Sequence, residues 1–431
     1  MLTKAGFERI LVSAAIFLSL FPSWRYRPVF FTLSDLVFCF SLLTIVLTRG
    51  LPRAPFGMLT PYWFAGFALL MASLVGSSLI NGEPMRAVVV CSQYAFSLIL
   101  LPMTIMGRDR DATINLVQVF ALGVFVANLA SVILYYSGYS GDFRFVTGNG
   151  RLASFAEGPN GHAQMIALAV PLVVYLWLAG RLATHYVVPV LLTLLVSLVL
   201  TSSNGGIAMA ALGVSAFLIV LRDLRYLARA AAGVAVCLVL ILLWGSYWLP
   251  ATFEQRVMGA VRGGGIEEAG SFQDRVALMD EALEMVDETM LLGIGVDQYE
   301  LQSRYGAPVH NTYLLLWTEG GLPALIGWTS LLLIALFGVL YVGRRHRLEA
   351  ATGFALAAMV VFIGFTTGHI YARQSVVPLY LAMALVLASA AEARARGRPV
   401  VPYGSAPPAP RPGPAGPVGH DGPADRESWV S

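Results

Sequence analysis

One histidine of this 431-residue chain stands where it could move a proton. His310 follows Pro308 and precedes Asn311, and the apolar run after Asn311 reads as a helix. Asn is a good N-cap. The partial positive charge at a helix N-terminus disfavours an imidazolium, and a neutral imidazole can act as a base near pH 7. Upstream, Ser271-Phe272-Gln273-Asp274 is a capping-box pattern. After it Val276, Met279, Leu283, Val286 and Met290 recur at spacings of three and four, which puts them on one helix face. Asp280, Glu281, Glu284, Asp287 and Glu288 fall mostly off that face, Arg275 opens the helix, and Gly293 and Gly295 end it. The pattern predicts an amphipathic helix lying on a membrane surface or on a helix bundle. Downstream, Glu319-Gly320-Gly321-Leu322-Pro323 should break the helix that starts at Asn311. A break at membrane depth is tolerated where it lines a cavity.

The elements that would position these residues follow from composition. Apolar residues make up 57% of the chain and charged residues 12%, about half the usual charged share, and mean hydropathy is +0.71. A soluble enzyme, a disulfide scaffold and a disordered protein are excluded. Apolar runs fall at roughly 9–24, 29–48, 59–80, 86–106, 113–137, 163–180, 186–202, 205–221, 230–249, 312–342, 350–371 and 375–391. The expected class is all-α, a polytopic membrane protein with about 12 transmembrane helices and a long extracytoplasmic loop between helices 9 and 10. Cys39, Cys91 and Cys237 each lie inside an apolar run, which argues for packing rather than disulfides.

Lys4 is the only lysine, and the net charge of +3 gives no sign of a nucleic-acid partner. With the N-terminus inside, the inner segments hold sixteen basic residues and the outer segments ten. That bias predicts both termini in the cytoplasm. Two outer loops are then long, 138–162 and 250–310, and the second carries 11 of the 25 acidic residues. Residues 1–398 form the membrane domain. Residues 399–431, with nine prolines, cannot bury enough apolar surface to fold and read as a disordered cytoplasmic tail.

This topology gathers further polar residues on the outer side: Asp35, Arg151, Glu157, Asn160, His162, the turn Ser202-Ser203-Asn204-Gly205-Gly206, Arg304, His369 and Arg373. Ionisable groups near a bilayer are costly, so such a cluster reads as a site. Asp109-Arg110-Asp111 falls instead in a short inner loop, where Arg108 and Arg110 can balance it. No cluster with metal-ligand spacing and no phosphate-cradling glycine loop is visible, so neither metal nor cofactor is expected.

These residues carry a resemblance. The chain resembles the O-antigen ligase and O-antigen polymerase superfamily of bacterial membrane glycosyltransferases. The likeness is sharpest over 271–328: an Arg-bearing helix, Leu292-Gly293-Ile294-Gly295, Tyr299, His310-Asn311 and Gly320-Gly321-Leu322. Of the ligase pattern, His310, Asn311 and Gly321 fit and Ala324 does not. Met279 stands where a Leu follows the helix Arg, and Asn204 stands where many relatives carry an arginine.

The resemblance implies a donor glycan on a polyprenyl diphosphate and an acceptor sugar hydroxyl, on a glycan or a lipid-linked glycan. It assigns His310 as the base. Arg275 holds the diphosphate, Arg151 or Arg373 replaces the missing arginine, and Asn311, Asn204, Asp35 and His162 support the site. It also implies a metal-independent enzyme at the outer face of the inner membrane, with membrane lipid, a chain-length regulator and a flippase as partners. The departures at Asn204 and Ala324 tilt the reading toward polymerase over lipid A-core ligase or protein O-oligosaccharyltransferase. A secondary transporter or lipid-linked glycan flippase is the rival class. It fits less well, because the broken helix has no counterpart in the other half.

Overall fold

The computed structural model describes residues 4–23, 25–26, 30–138, 145–156, 158–223, 225–226, 233, 249–258 and 272–397. The predicted span at 230–249 apart from 233 and 249, Cys237, Ser271, Glu157 and the tail from 399 lie outside the described residues.

The fold is helical apart from a two-stranded antiparallel hairpin, Arg25–Tyr26 with Phe31–Thr32. Among the described residues nine helices are long and apolar enough to cross a membrane. They are α3 (Gly57–Asn81), α4 (Pro84–Ile105), α5 (Arg110–Tyr136), α6 (Pro159–Leu178), α7 (Thr184–Thr201), α8 (Asn204–Leu221), α11 (Thr312–Gly343), α12 (Arg347–Gly364) and α13 (Arg373–Ala395). The first two predicted runs fold as α1 (Lys4–Leu18) and α2 (Leu33–Arg49), shorter than the roughly 20 residues that cross a bilayer. They pair with each other, and α1 also packs on α5. The run predicted at 350–371 stops at Gly364, and 365–372 forms a turn instead. Between the spanning groups lie α9 (Phe272–Thr289) and the short α10 (Gln298–Gln302).

A core of apolar side chains runs through α6, α12 and α13, the three helices with few exposed positions. In α4 a π-turn over Phe96–Leu100 interrupts the helical ladder, and the Leu98 carbonyl accepts from the Trp63 indole N–H at 2.9 Å.

Polar contacts sort to the two ends of the bundle. At one end buried Glu8 takes Arg108 and Arg49, Arg110 pairs with Glu349 at 2.9 Å, and Arg181 pairs with Asp111 at 3.0 Å. Asp109 N-caps α5 through the Ala112 N–H. The Asp109-Arg110-Asp111 loop is thus tied up in a cap and two ion pairs. At the other end Arg373 meets Asp35, Arg151 meets the Thr201 carbonyl, and Thr312 meets the Thr367 carbonyl. The residues predicted to be inner and those predicted to be outer therefore occupy opposite ends.

Candidate functional site

α9 carries apolar residues on more than one face. Leu278, Ala282 and Val286 are buried, while Val276, Leu283 and Met290 are exposed. The buried stripe is thus turned from the predicted one, because Glu281 is buried too. Its carboxylate accepts from the Ser303 hydroxyl at 2.6 Å, the Arg304 N–H at 2.6 Å and the Tyr299 hydroxyl at 3.1 Å. A buried carboxylate needs such partners, and they fasten α9 to α10 and the chain leading to His310.

The predicted break in α11 is real. Gly321 has φ of 74° and ψ of 179° inside an otherwise helical segment. The carbonyls released there are taken by the chain after α9. Ile294 N–H donates to Thr318 O and Gly295 N–H to Glu319 O, both at 2.9 Å, and Leu322 N–H donates back to Met290 O at 2.9 Å. A Cβ on Gly321 would overlap the Leu291 carbonyl, and one on Gly293 would overlap the Glu319 carbonyl. The far side of the loop is held by α3: Asn81 donates to Gly293 O at 2.8 Å and Ser78 accepts from Val296 N–H at 2.9 Å. The glycines are thus what lets a loop splice into a helix.

The half-helix above this splice starts as expected. Asn311 Oδ1 accepts from the N–H groups of Tyr313 and Leu314 at 3.0 and 3.1 Å. His310 precedes the cap and is exposed. Partial desolvation, then the charge of Arg275, hold its imidazole below the ordinary histidine range. The neutral form of the His310 imidazole is therefore favoured, with an arginine near enough to act on it.

Arg275 belongs to a group of three. Burial pulls its guanidinium down from its usual value, and so does Arg256. Arg151 is pulled down to about 10 by burial, then by Arg256 and Arg275. Among the described residues no carboxylate forms an ion pair with Arg151, Arg256 or Arg275. Arg151 is anchored: Nε donates to Thr201 O at 2.8 Å and Nη2 to Asn160 Oδ1 at 2.9 Å, and Ser203 donates to the same Asn160 oxygen at 2.9 Å. Asn204 holds the Arg256 carbonyl at 3.2 Å, and the Arg256 Nε is buried with no partner among the described residues. Three mutually repelling guanidinium groups with no carboxylate paired to them among the described residues, one of them acting on the imidazole of His310, suit a polyanion.

Arg256 was not singled out in the sequence beyond being one more outer arginine. No local pattern marks it, because it reaches the group through the fold, on a segment that Asn204 and the 147–151 turn hold in place.

Not every predicted residue joins this group. Arg373 is buried against Asp35, Nε to Oδ1 at 2.7 Å and Nη2 to Oδ2 at 2.9 Å, with Gln93, Ser97 and the Tyr371 carbonyl taking the remaining donors and the Phe96 ring 4.3 Å away. Asp35 itself closes a capping box with Thr32 at the start of α2. Both residues serve to join α2, α4 and α13. His162 is fully buried on the first turn of α6, and neither ring nitrogen has a partner among the described residues. Arg304 turns to Glu284 at 2.6 Å on the exposed side of α9.

The fold also assembles a group that the sequence spacing hides. Asp297, Glu319 and His369 come from three separate segments, and one ligand atom of each lies within 4.8 Å of the others.

Residues 189–329 match the family model described as O-antigen ligase. That stretch contains Asn204, Arg256, Arg275, His310 and Gly321, whereas Arg151 and Arg373 lie outside it. No curated protein matches the chain.

Proposed function

We propose that this chain, which belongs to the O-antigen ligase and polymerase superfamily through residues 189–329, joins a polyprenyl-diphosphate-linked oligosaccharide to a sugar hydroxyl. It is a multi-pass membrane protein and a glycosyltransferase of that type. The observation that carries the finer reading is the coupled trio Arg151, Arg256 and Arg275, of which Arg275 also acts on the imidazole of His310.

In this reading His310 accepts the proton of the acceptor hydroxyl as that oxygen attacks the anomeric carbon. The bond to the diphosphate breaks, and the lipid diphosphate leaves with the electron pair. The arginines neutralise it, where a planar fork suits phosphate oxygens better than a point charge. They supply to the leaving group the charge that a divalent metal supplies in other transferases. Base help of this kind contributes typically about 10²–10⁴-fold. Arg256 takes the place of the arginine absent at Asn204, and Asn204 positions it. The exposed apolar side chains of α9, with Leu291 and Leu292, suit a lipid surface from which the donor arrives.

The site lies at the outer face of a bacterial inner membrane, with both termini inside. Within the family, polymerisation of a surface polysaccharide is favoured over ligation to lipid A-core. Purified protein, the lipid-linked oligosaccharide and an acceptor glycan in detergent test the reading. Glycan joining with no sealed compartment supports a transferase. Its absence, with transport across sealed vesicles instead, overturns it.

A further inference from the structure

We propose that Asp297, Glu319 and His369 form a site for one divalent cation of the Mn²⁺ or Zn²⁺ class, which clamps the chain after α9 to the break in α11. Three observations carry this. First, one carboxylate oxygen from each acid and one imidazole nitrogen lie within 4.8 Å of one another. Second, Glu319 Oε2 and His369 Nε2 face each other at 3.8 Å, and each is buried with no hydrogen-bond partner among the described residues. Buried polar atoms are rarely left unmatched, and a carboxylate and an imidazole converging beyond hydrogen-bond distance suit two ligands of one ion. Third, the other ring nitrogen is occupied. His369 Nδ1 stands 3.0 Å from the Tyr94 hydroxyl. A ligating histidine almost always engages its second nitrogen in this way, which fixes the ring and its tautomer.

Charge and distance agree. Among the described residues, the cation that pairs with the group, Arg86, stands 3.9 Å from Asp297 and is also turned to Glu83 at 3.0 Å. Two ligand atoms 3.8 Å apart span an ion at about 2.2 Å from each, opening at about 120°, within the range of Zn²⁺ bonds to oxygen and nitrogen. An imidazole beside two carboxylates favours borderline transition metals over Mg²⁺ or Ca²⁺, which take oxygen sets. Asp297 is half-exposed, so the site keeps an entry path and a side open to water.

The placement says what the ion would do. Asp297 follows the Gly293–Gly295 splice, Glu319 is two residues before the non-helical Gly321, and His369 lies on the turn between α12 and α13. One ion would pin all three segments behind the half-helix that begins at Thr312. The inference does not rest on the glycan chemistry, because its test uses no substrate.

The experiment is Mn²⁺ and Zn²⁺ binding to the full-length protein in detergent after chelator treatment. Free Mn²⁺ is read by electron paramagnetic resonance, bound Zn²⁺ by elemental analysis, and unfolding by thermal melting. One ion per chain should bind and raise the melting temperature. Glu319→Gln and His369→Gln should each weaken binding more than about tenfold, since even the outer partners of metal ligands cost that much. Asp297→Asn, at a half-exposed position, carries the test if the buried variants fail to fold. Failure of both ions to bind wild-type protein, or equal binding by wild type and Asp297→Asn, overturns the proposal.

Discussion

Arg275 acts on His310 at one end of the bundle, and its charge, added to partial desolvation, disfavours the imidazolium. The sign of the pH dependence follows. A base whose pKa lies below the ordinary imidazole value stays neutral, and so competent, to lower pH than a free histidine would. In kcat/KM profiles of glycan joining, the acid limb should fall below pH 6.5. Removing the neighbouring positive charge favours the imidazolium, so Arg275→Gln should move that limb upward while Arg275→Lys leaves it in place. His310→Ala should abolish turnover with donor binding retained. Near wild-type joining by His310→Ala would remove the base assignment.

Arg151 and Arg256 should act on donor affinity rather than on the base. A charge-assisted hydrogen bond contributes about 1.5–3 kcal/mol, or roughly a ten- to hundredfold change in Kd. Arg151→Gln and Arg256→Gln should each weaken binding of the lipid diphosphate by that factor. Arg304→Gln is the control. Its guanidinium is exposed and engaged with Glu284, and pairs of that kind contribute less than about 1 kcal/mol. Equal losses in all three variants would mean a diffuse basic surface instead of a site.

How much was legible beforehand differs between elements. The spanning helices α3 to α8 and α11 to α13 could be read because a run of about twenty apolar residues leaves one structure in lipid. His310-Asn311 and Gly321 were legible because a cap and a helix break are local events. α9 was read as a helix correctly, but its buried face was not, because Glu281 is buried by partners at 299–304 that no periodicity in α9 contains. Arg256 and the Asp297–Glu319–His369 group were invisible for the same reason. Contacts between distant segments set them, and spacing along the chain carries no trace of that.

Gly321→Ala should uncouple the splice. The residue sits at φ of 74°, a region costing a non-glycine about 1–3 kcal/mol, and its methyl would overlap the Leu291 carbonyl. The expected result is a lower melting temperature together with lost turnover, because the half-helix that carries His310 is registered by these contacts. Gly76→Ala, where nothing lies within 4 Å of the added carbon, should leave both unchanged. Wild-type activity in Gly321→Ala would show that the break is not needed to place the histidine.

Asp109 and Asp111 should matter little to chemistry. Asp109 caps α5 through the Ala112 N–H at 2.7 Å, and Asp111 makes an ion pair with Arg181. Losing an N-cap costs typically about 1 kcal/mol and losing an exposed pair less. Asp109→Ala with Asp111→Ala should therefore melt slightly earlier and join glycans at close to the wild-type rate. A collapse of turnover in well-folded protein would instead point to a working acid pair at the end of the bundle away from His310.

Arg373 is expected to be a structural residue, in contrast to the donor-binding role its sequence position suggested. Every donor of its guanidinium is engaged, two of them with buried Asp35. Removing one partner of a buried pair leaves an uncompensated charge, which costs about 3–5 kcal/mol. Arg373→Met alone should therefore lower the melting temperature sharply. With both charges gone, no charge is stranded, so Arg373→Met with Asp35→Leu should recover part of that loss, although Gln93 and the Tyr371 carbonyl lose this donor and the Thr32 capping contacts of Asp35 go too. Donor affinity distinguishes the roles. If Arg373 only joins α2, α4 and α13, the folded double variant binds the lipid diphosphate as wild type does. If Arg373 holds the donor, affinity stays lost even where stability returns. A double-mutant cycle in melting temperature, run beside donor titrations on the same preparations, separates the two.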